Sequence, residues 1–300
     1  MERTARRDRT EAILARLLLA SLEHSPRGIA DSLGRIYAGL LDLAIPRLRR
    51  TAETNLQFAF PDRNAAWRKK TIDGIYASIG RLLVAFARFP SISQSNVHQW
   101  IRYEGFEHYE RAKARGRGVL FATAHLGNWE LSAFAHALMT EPMSVVVRAL
   151  DNQRIDRLVE ARRMISGNRI IEKHDAARAI LRSLKNNEAV GILIDQNSSL
   201  SEGVFVDFFG VPACAGTAFV KLAAHSGATV IPGFALWSDK HQRYTLRFYP
   251  PLEITGRIEA DTQRLQSLLE TVIREYPDQW LWIHRRWKTR PAGEPPLYRA

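Results

Sequence analysis

The chain carries a single cysteine, Cys214, among 300 residues. That excludes an intrachain disulfide framework and fits a reducing compartment. Long apolar runs are also missing. A membrane-spanning helix needs roughly 18 or more consecutive apolar residues. The best stretch, Ala12–Leu22, is interrupted by Arg16 and closed by Glu23-His24-Ser25-Pro26. Arg16 and the lack of a small-x-small cleavage site also argue against a signal peptide. There is no His-Glu-x-x-His pair for zinc, no Gly-x-Ser-x-Gly elbow for a serine nucleophile and no Walker-type loop for nucleotide hydrolysis. Acidic residues are outnumbered: 43 Lys and Arg against 31 Asp and Glu leave a net charge of +12. Such a surplus favours anionic partners, whether a membrane surface, an acidic carrier protein, a phosphorylated substrate or nucleic acid. No recognition helix, ribonucleoprotein aromatic set or zinc knuckle supports nucleic acid.

Residues 1–50 hold ten Arg and six Asp or Glu. They predict two amphipathic helices, about Glu11–Glu23 and Ile29–Leu43. The apolar faces would carry Ile13, Leu14, Leu17, Leu18 and Leu22 on the first, and Leu33, Ile36, Tyr37, Leu40 and Leu41 on the second. Such faces serve equally to lie on a membrane or to pack on a core. A long helix over Asn64–Phe89 follows, ended by Pro90. From Val119 onward short apolar strands alternate with helices of about ten residues, and residues 195–215 read as a loop. The expectation is one α/β domain, a central, mostly parallel or mixed sheet wrapped by helices, with an N-terminal helical extension. Residues 1–50 form the extension and 51–300 the main domain.

In such sheets ligands sit beyond the carboxyl ends of the strands. His125, Arg148 and Asp195 each follow a predicted strand. If those strands are parallel neighbours, all three point into one crevice. His125 ends the strand Val119–Thr123. Gly127 then allows a tight loop, Asn128 is a plausible N-cap, and Glu130 falls in the first turn of the next helix. A carboxylate on one ring nitrogen fixes the imidazole tautomer and stabilises the imidazolium formed when the other nitrogen takes a proton. Free N–H groups at the helix start suit a developing oxyanion. These parts suit general-base activation of a hydroxyl that attacks an acyl carbonyl. A His satisfied in the core and a Glu on a surface turn fit the same spacing.

The segment His125-Leu-Gly-Asn-Trp-Glu130 resembles the His-x4-Asp/Glu motif of the lysophospholipid acyltransferase superfamily, in the form found in the bacterial lipid A late acyltransferases (the lauroyl and myristoyl transferases). Further blocks match in order. They are Asn55-Leu56 with Phe60-Pro61, Val146-Val147-Arg148 with Asp156 and Arg163, Asp195-Gln196 followed by Gly203–Gly210, Gly227–Pro232, and Pro277–Pro291. The resemblance covers about residues 50–298. Leu126 stands where the family form has Phe, and the N-terminal apolar helix is shorter than usual. The second departure favours peripheral or monotopic attachment over a membrane span. Actinobacterial mannoside acyltransferases share these motifs, which therefore leave the acceptor open.

The resemblance implies an O-acyltransferase on the cytoplasmic face of the inner membrane. It would move a fatty acyl chain from acyl carrier protein or acyl-CoA to a hydroxyl of a lipid A precursor or related glycolipid, with neither metal nor cofactor. His125 would be the general base and Glu130 its orienting carboxylate. Arg163 and Arg148 would hold the acceptor's phosphate or the acyl donor, and Asp195 would be a polar residue beside them. Alternatives are another acceptor (a lysophospholipid, a phosphatidylinositol mannoside or an aminolipid) or a non-catalytic basic protein that binds membranes or nucleic acid. From the residues alone, Phe205, Phe208 and Phe209 are candidates to line a dry acyl slot, or ordinary core aromatics. Trp280, Trp282 and Trp287 beside Arg285, Arg286 and Lys288 suggest either an interfacial aromatic–basic belt or a strand-like tail packed on the core.

Overall fold

The computed structural model describes residues 5–173 and 176–298. Four helices come first: α1 (Ala5–His24), α2 (Arg27–Ala44), α3 (Pro46–Ala59) and α4 (Ala65–Ala87). Asn64 caps α4, its side chain accepting from Trp67 N. Then come β1 (Ile101–Glu104), α5 (Phe106–Ala114), β2 (Val119–Thr123), α6 (Trp129–Met139), β3 (Ser144–Val147), α7 (Gln153–Met164), β4 (Arg169–Glu172), α8 (Ala176–Lys185) and β5 (Ala189–Leu193). A hairpin, β6 (Gly203–Phe208) and β7 (Val211–Gly216), precedes α9 (Ala218–Ser226), β8 (Thr229–Ser238), β9 (Arg243–Phe248) and α10 (Ile258–Glu275).

Seven strands form one sheet in the order β1-β9-β8-β2-β5-β3-β4. The five strands from β8 to β4 are parallel, β9 runs antiparallel to β8, and β1 is parallel to β9. The sheet is thus mixed but mostly parallel. The central strand β2 shows why its sequence is apolar throughout. Val119 and Phe121 face a core shared with Leu131 and Phe134 of α6, while Leu120 and Ala122 face one shared with Ile180, Val220 and Leu265 of α8, α9 and α10. A strand covered on both sides cannot alternate polar with apolar residues.

The N-terminal helices divide their apolar residues between two surroundings. Leu19, Leu22 and Ala30 join the same core as β2 and α6. Ile13, Leu14, Leu17, Ile36, Leu40 and Leu43 are exposed. The division expected between residues 50 and 51 falls inside α3. Among the described residues no helix is long and apolar enough to cross a membrane.

Two expectations change. Residues 203–216, read as loop, form a separate antiparallel hairpin. The C-terminal signature follows the core-packing alternative and not the interfacial belt, but it packs without forming a strand. Trp280, Trp282 and Trp287 are all fully buried. Their ring nitrogens donate to Asp195, to Pro277 O and to Val211 O respectively. Asn55 of α3 clamps the segment, donating at 2.7 Å to both Trp282 O and His284 O and accepting from Tyr298. Arg286 is also fully buried, donating to Cys214 O and to Gln266 Oε1. Burying three tryptophans, each removing roughly 150–250 Å² from water, makes this tail a major part of the core.

Candidate active site

β2, β5 and β3 are parallel neighbours, so their carboxyl ends meet at one edge of the sheet. The loop after β2 is tightly held there. Gly127 has φ of +64°, and a Cβ on it would lie 1.9 Å from Ala235 O. Only glycine fits that backbone. Gly127 N donates to Gln279 O, Asn128 N to Ala235 O, and Leu281 N to His125 O, each at 2.9 Å. The Asn128 side chain accepts from Leu131 N and caps α6. His125 is therefore fixed between β8 and the C-terminal tail, with the start of a helix beside it.

The carboxylate on the imidazole is Asp195, from the end of β5. Its Oδ1 lies 3.0 Å from His125 Nδ1, and its Oδ2 accepts from His125 N at 2.9 Å and Trp280 Nε1 at 2.8 Å. Burial penalises the Asp195 charge, but the His125 side chain and these donors outweigh it and hold the carboxyl at about 2. Burial likewise works against a charged His125. Asp195, and more weakly Glu130, reverse this and raise the imidazole above its usual value. Asp195 as an anion leaves His125 Nδ1 only the donor role, so Nε2 is the free acceptor.

Glu130 stands in the first turn of α6, as its position predicts, but its carboxylate is taken by a different partner. Arg163 of α7 forks onto it, with Nε to Oε2 at 2.9 Å and Nη2 to Oε1 at 2.5 Å. The ring donates to Asp195 instead of to Glu130, both of whose oxygens are taken by the α7 guanidinium. Arg148 follows β3 as expected and stands at the same rim. Its side chain is 84% exposed, with Asp151 4.0 Å away. Asp156 accepts from Leu150 N, shaping the turn that carries Arg148.

Below these residues a pocket with about 940 Å³ of empty space, part of it open to solvent, runs between α6 and the sheet. His125, Trp129, Glu130, Arg148 and Arg163 form its mouth; Phe121, Phe134, Met143, Val145, Leu246 and Phe248 are among its inner walls. Gly191 and Gly233 keep the floor open: a Cβ would lie 2.8 Å from Met143 Cε in the first case and 2.9 Å from Phe248 Cδ1 in the second. Phe205, Phe208 and Phe209 do not line this pocket. Phe208 and Phe209 are core aromatics packed on Trp280, Trp282 and Trp287, and Phe205 lies on the exposed side of its hairpin. Among the described residues no group of three or more His, Cys, Asp or Glu is placed to hold a metal ion.

The site therefore combines a rigid imidazole with a free acceptor nitrogen, a buried carboxylate behind it, a helix start whose first amides have no intrahelical acceptor, and an adjoining apolar slot. Sequence spacing missed the contact between His125 and Asp195 as such, and missed Trp280 as its third member. Both are long-range contacts: the pairing of β2 with β5 brings Asp195 to His125, and the packing of the C-terminal tail brings in Trp280.

A family model described as bacterial lipid A biosynthesis acyltransferase matches residues 5–289. Among curated relatives, the lipid A biosynthesis palmitoleoyltransferase of Escherichia coli (strain K12) is 31% identical over 261 residues, 85% of each chain. The lipid A biosynthesis lauroyltransferase of the same organism is 30% identical over 270 residues, 88% of each chain. A lipid A biosynthesis acyltransferase of Haemophilus influenzae is 26% identical over 248 residues, 82% of this chain and 77% of that one. The chain belongs to the bacterial lipid A biosynthesis acyltransferase family, and it is an acyltransferase.

Proposed function

We propose that the protein moves a fatty acyl chain from an acyl thioester, carried on acyl carrier protein or coenzyme A, to a hydroxyl of a lipid A precursor. The observation that carries this reading is the meeting of the Asp195–His125 pair with the mouth of the apolar pocket. The chain lies in the pocket with its thioester at the mouth. His125 Nε2 takes the proton of the acceptor hydroxyl as its oxygen attacks the thioester carbonyl. Asp195 holds the ring tautomer and balances the imidazolium. The N–H groups of Trp129 and Glu130, at the start of α6, face the developing oxyanion. The tetrahedral intermediate collapses, the carbon–sulfur bond breaks, and the departing thiolate takes the proton from His125.

Glu130 acts with Arg163 as a fixed ion pair at the rim. Arg148, exposed beside it, contacts phosphate oxygens of the acceptor or of the donor's arm. The exposed apolar residues of α1 and α2, with the arginines around them, lie on the anionic cytoplasmic face of the inner membrane as a peripheral attachment. Mass spectrometry of the host's lipids with and without the gene tests the proposal. The expected result is the loss of one acyl group from lipid A; an unchanged lipid A, or a loss confined to another lipid, sinks the assignment of the acceptor.

A further inference from the structure

α7 has two working faces. The inner one builds the pocket mouth: Arg163 forks onto Glu130, and Asp156 accepts from Leu150 N and shapes the turn that carries Arg148. The outer one is exposed. Arg154, Arg157, Ala161, Met164 and the following Ile165 lie there, within about 100° of one another around the helix. Met164 and Ile165 are each 48% exposed, and Leu150, in the turn at the mouth, is 44% exposed. Neither Arg154 nor Arg157 makes a side-chain hydrogen bond or an ion pair among the described residues. The two acids of α7, Asp156 and Glu160, are both half-buried.

α1 lies alongside and has the same character. It is fastened to α7 at both ends. Asn152 Nδ2 donates to Asp8 O and to Glu11 Oε2, both at 3.0 Å, and Arg162 Nη2 pairs with Glu23 at 2.7 Å. The exposed residues of α1 include Arg9, Arg16, Ile13, Leu14 and Leu17, and no acid is among them.

Arginines without exposed acids, interspersed with apolar side chains, match a partner that is anionic at its skin and apolar beneath. An acidic protein would match the arginines alone. Half-exposed apolar side chains spread along the roughly 18 Å of α7, and repeated on α1, fit a bilayer better. The consequence follows from the inner face. The helix that would lie on lipid also holds Arg163 and shapes the Arg148 turn, so it carries the mouth with it. We infer that the outer face of α7, together with Leu150, docks on an anionic bilayer and sets the pocket mouth at its surface. The acceptor then reaches His125 without leaving the lipid surface. This rests on the acyl-transfer reading above, and it adds α7 to the attachment given there to α1 and α2.

The test is co-sedimentation of the whole chain with vesicles of phosphatidylethanolamine and phosphatidylglycerol in equal parts, against vesicles of phosphatidylcholine alone. Two variants are compared with the wild type. One combines Leu150→Gln, Met164→Gln and Ile165→Gln, and the other combines Arg154→Gln and Arg157→Gln. All five side chains are exposed, so both variants keep a melting temperature near that of the wild type. Each is expected to bind the anionic vesicles at least about tenfold more weakly, and the arginine variant keeps wild-type binding to phosphatidylcholine. Transfer to a lipid A precursor embedded in the anionic vesicles falls with binding, whereas transfer to the same precursor in detergent micelles is unchanged. A wild type that stays in solution, or variants that bind as it does, overturns the inference. So does a loss that persists in micelles with acyl carrier protein as the donor's carrier and vanishes with coenzyme A, which would give this face to the carrier protein. Sedimentation needs no acyl transfer. A wild type that acylates no precursor in either format therefore defeats the proposed reaction, while vesicle binding still decides this inference.

Discussion

Replacing Asp195 by Asn removes one charge and reverses one hydrogen bond. Oδ2 accepts from two N–H donors, His125 N at 2.9 Å and Trp280 Nε1 at 2.8 Å. The amide oxygen of Asn must take that place, which turns the amide nitrogen toward His125 Nδ1, 3.0 Å from Oδ1 in the native protein. Nδ1 then becomes the acceptor and Nε2 carries the proton, so the ring cannot take one from the acceptor hydroxyl. A wrong tautomer of this kind costs a serine-protease triad about 10⁴-fold. Here the expected loss in kcat is about 10³- to 10⁴-fold, or about 4–6 kcal/mol of barrier. Because a fully buried charge disappears while both donors keep an acceptor, the fold should survive. The assay is acyl transfer from a defined thioester to a lipid A precursor across pH 6–9, with circular dichroism as the control for folding. A folded Asp195→Asn protein working within tenfold of wild type would refute the role given to this carboxylate.

Three further outcomes are expected. Glu130→Gln and Arg163→Met, alone and together, should show a coupling of about 1.5–3 kcal/mol in urea unfolding, as a fork of charge-assisted bonds predicts; additivity within about 0.5 kcal/mol would dissolve the pair. Gly191→Ala places a Cβ 2.8 Å from Met143 Cε on the pocket floor, so product analysis with mixed donors should show selectivity moving toward shorter chains, and an unchanged distribution would remove the chain from this pocket. Burial holds His136 at about 4, with Glu141 and Lys113 acting in opposite senses on it. The unfolded chain protonates first, so this group's contribution is intact above about pH 6.5 and falls away as the pH drops toward 4, by about 2 kcal/mol at pH 5. His125, with its raised value, works the other way and loses its contribution as the pH rises past its folded value. Comparing urea midpoints at pH 7.5 and pH 5 for the wild type and His136→Phe isolates the first effect; identical pH dependence in the two would contradict it.

Much of the architecture was legible because it is carried by local pattern. β2 spans the Val119–Thr123 run its apolar residues mark, and α6 starts directly after the Asn128 cap. The order of the strand ends was enough to bring His125, Arg148 and Asp195 to one edge. The hairpin β6–β7 escaped because its turn lacks the usual chemistry. Phe209 and Gly210 form the two-residue connection at φ of +60° and +74°. Asn-Gly or Asp-Gly would be the recognisable signal at such a turn. Phe209 is accepted there because its ring packs against Phe60 and Trp282, with Arg274 above it at 4.5 Å. The choice between Glu130 and Asp195 as the ring's partner was not legible. Glu130 is close in sequence and Asp195 is not, and what decides between them is the Arg163 fork arriving from α7. The fate of the tail tryptophans was equally hidden, since aromatic and basic residues in alternation read alike on a membrane surface and in a core.

The central claim is that His125 is the base for acyl transfer. It is tested most directly by single-turnover transfer from an acyl thioester to a lipid A precursor with purified wild type and His125→Ala. The account predicts a folded variant whose transfer is slower by at least about 10³-fold while donor binding changes little. Transfer at the wild-type rate in folded His125→Ala would contradict it.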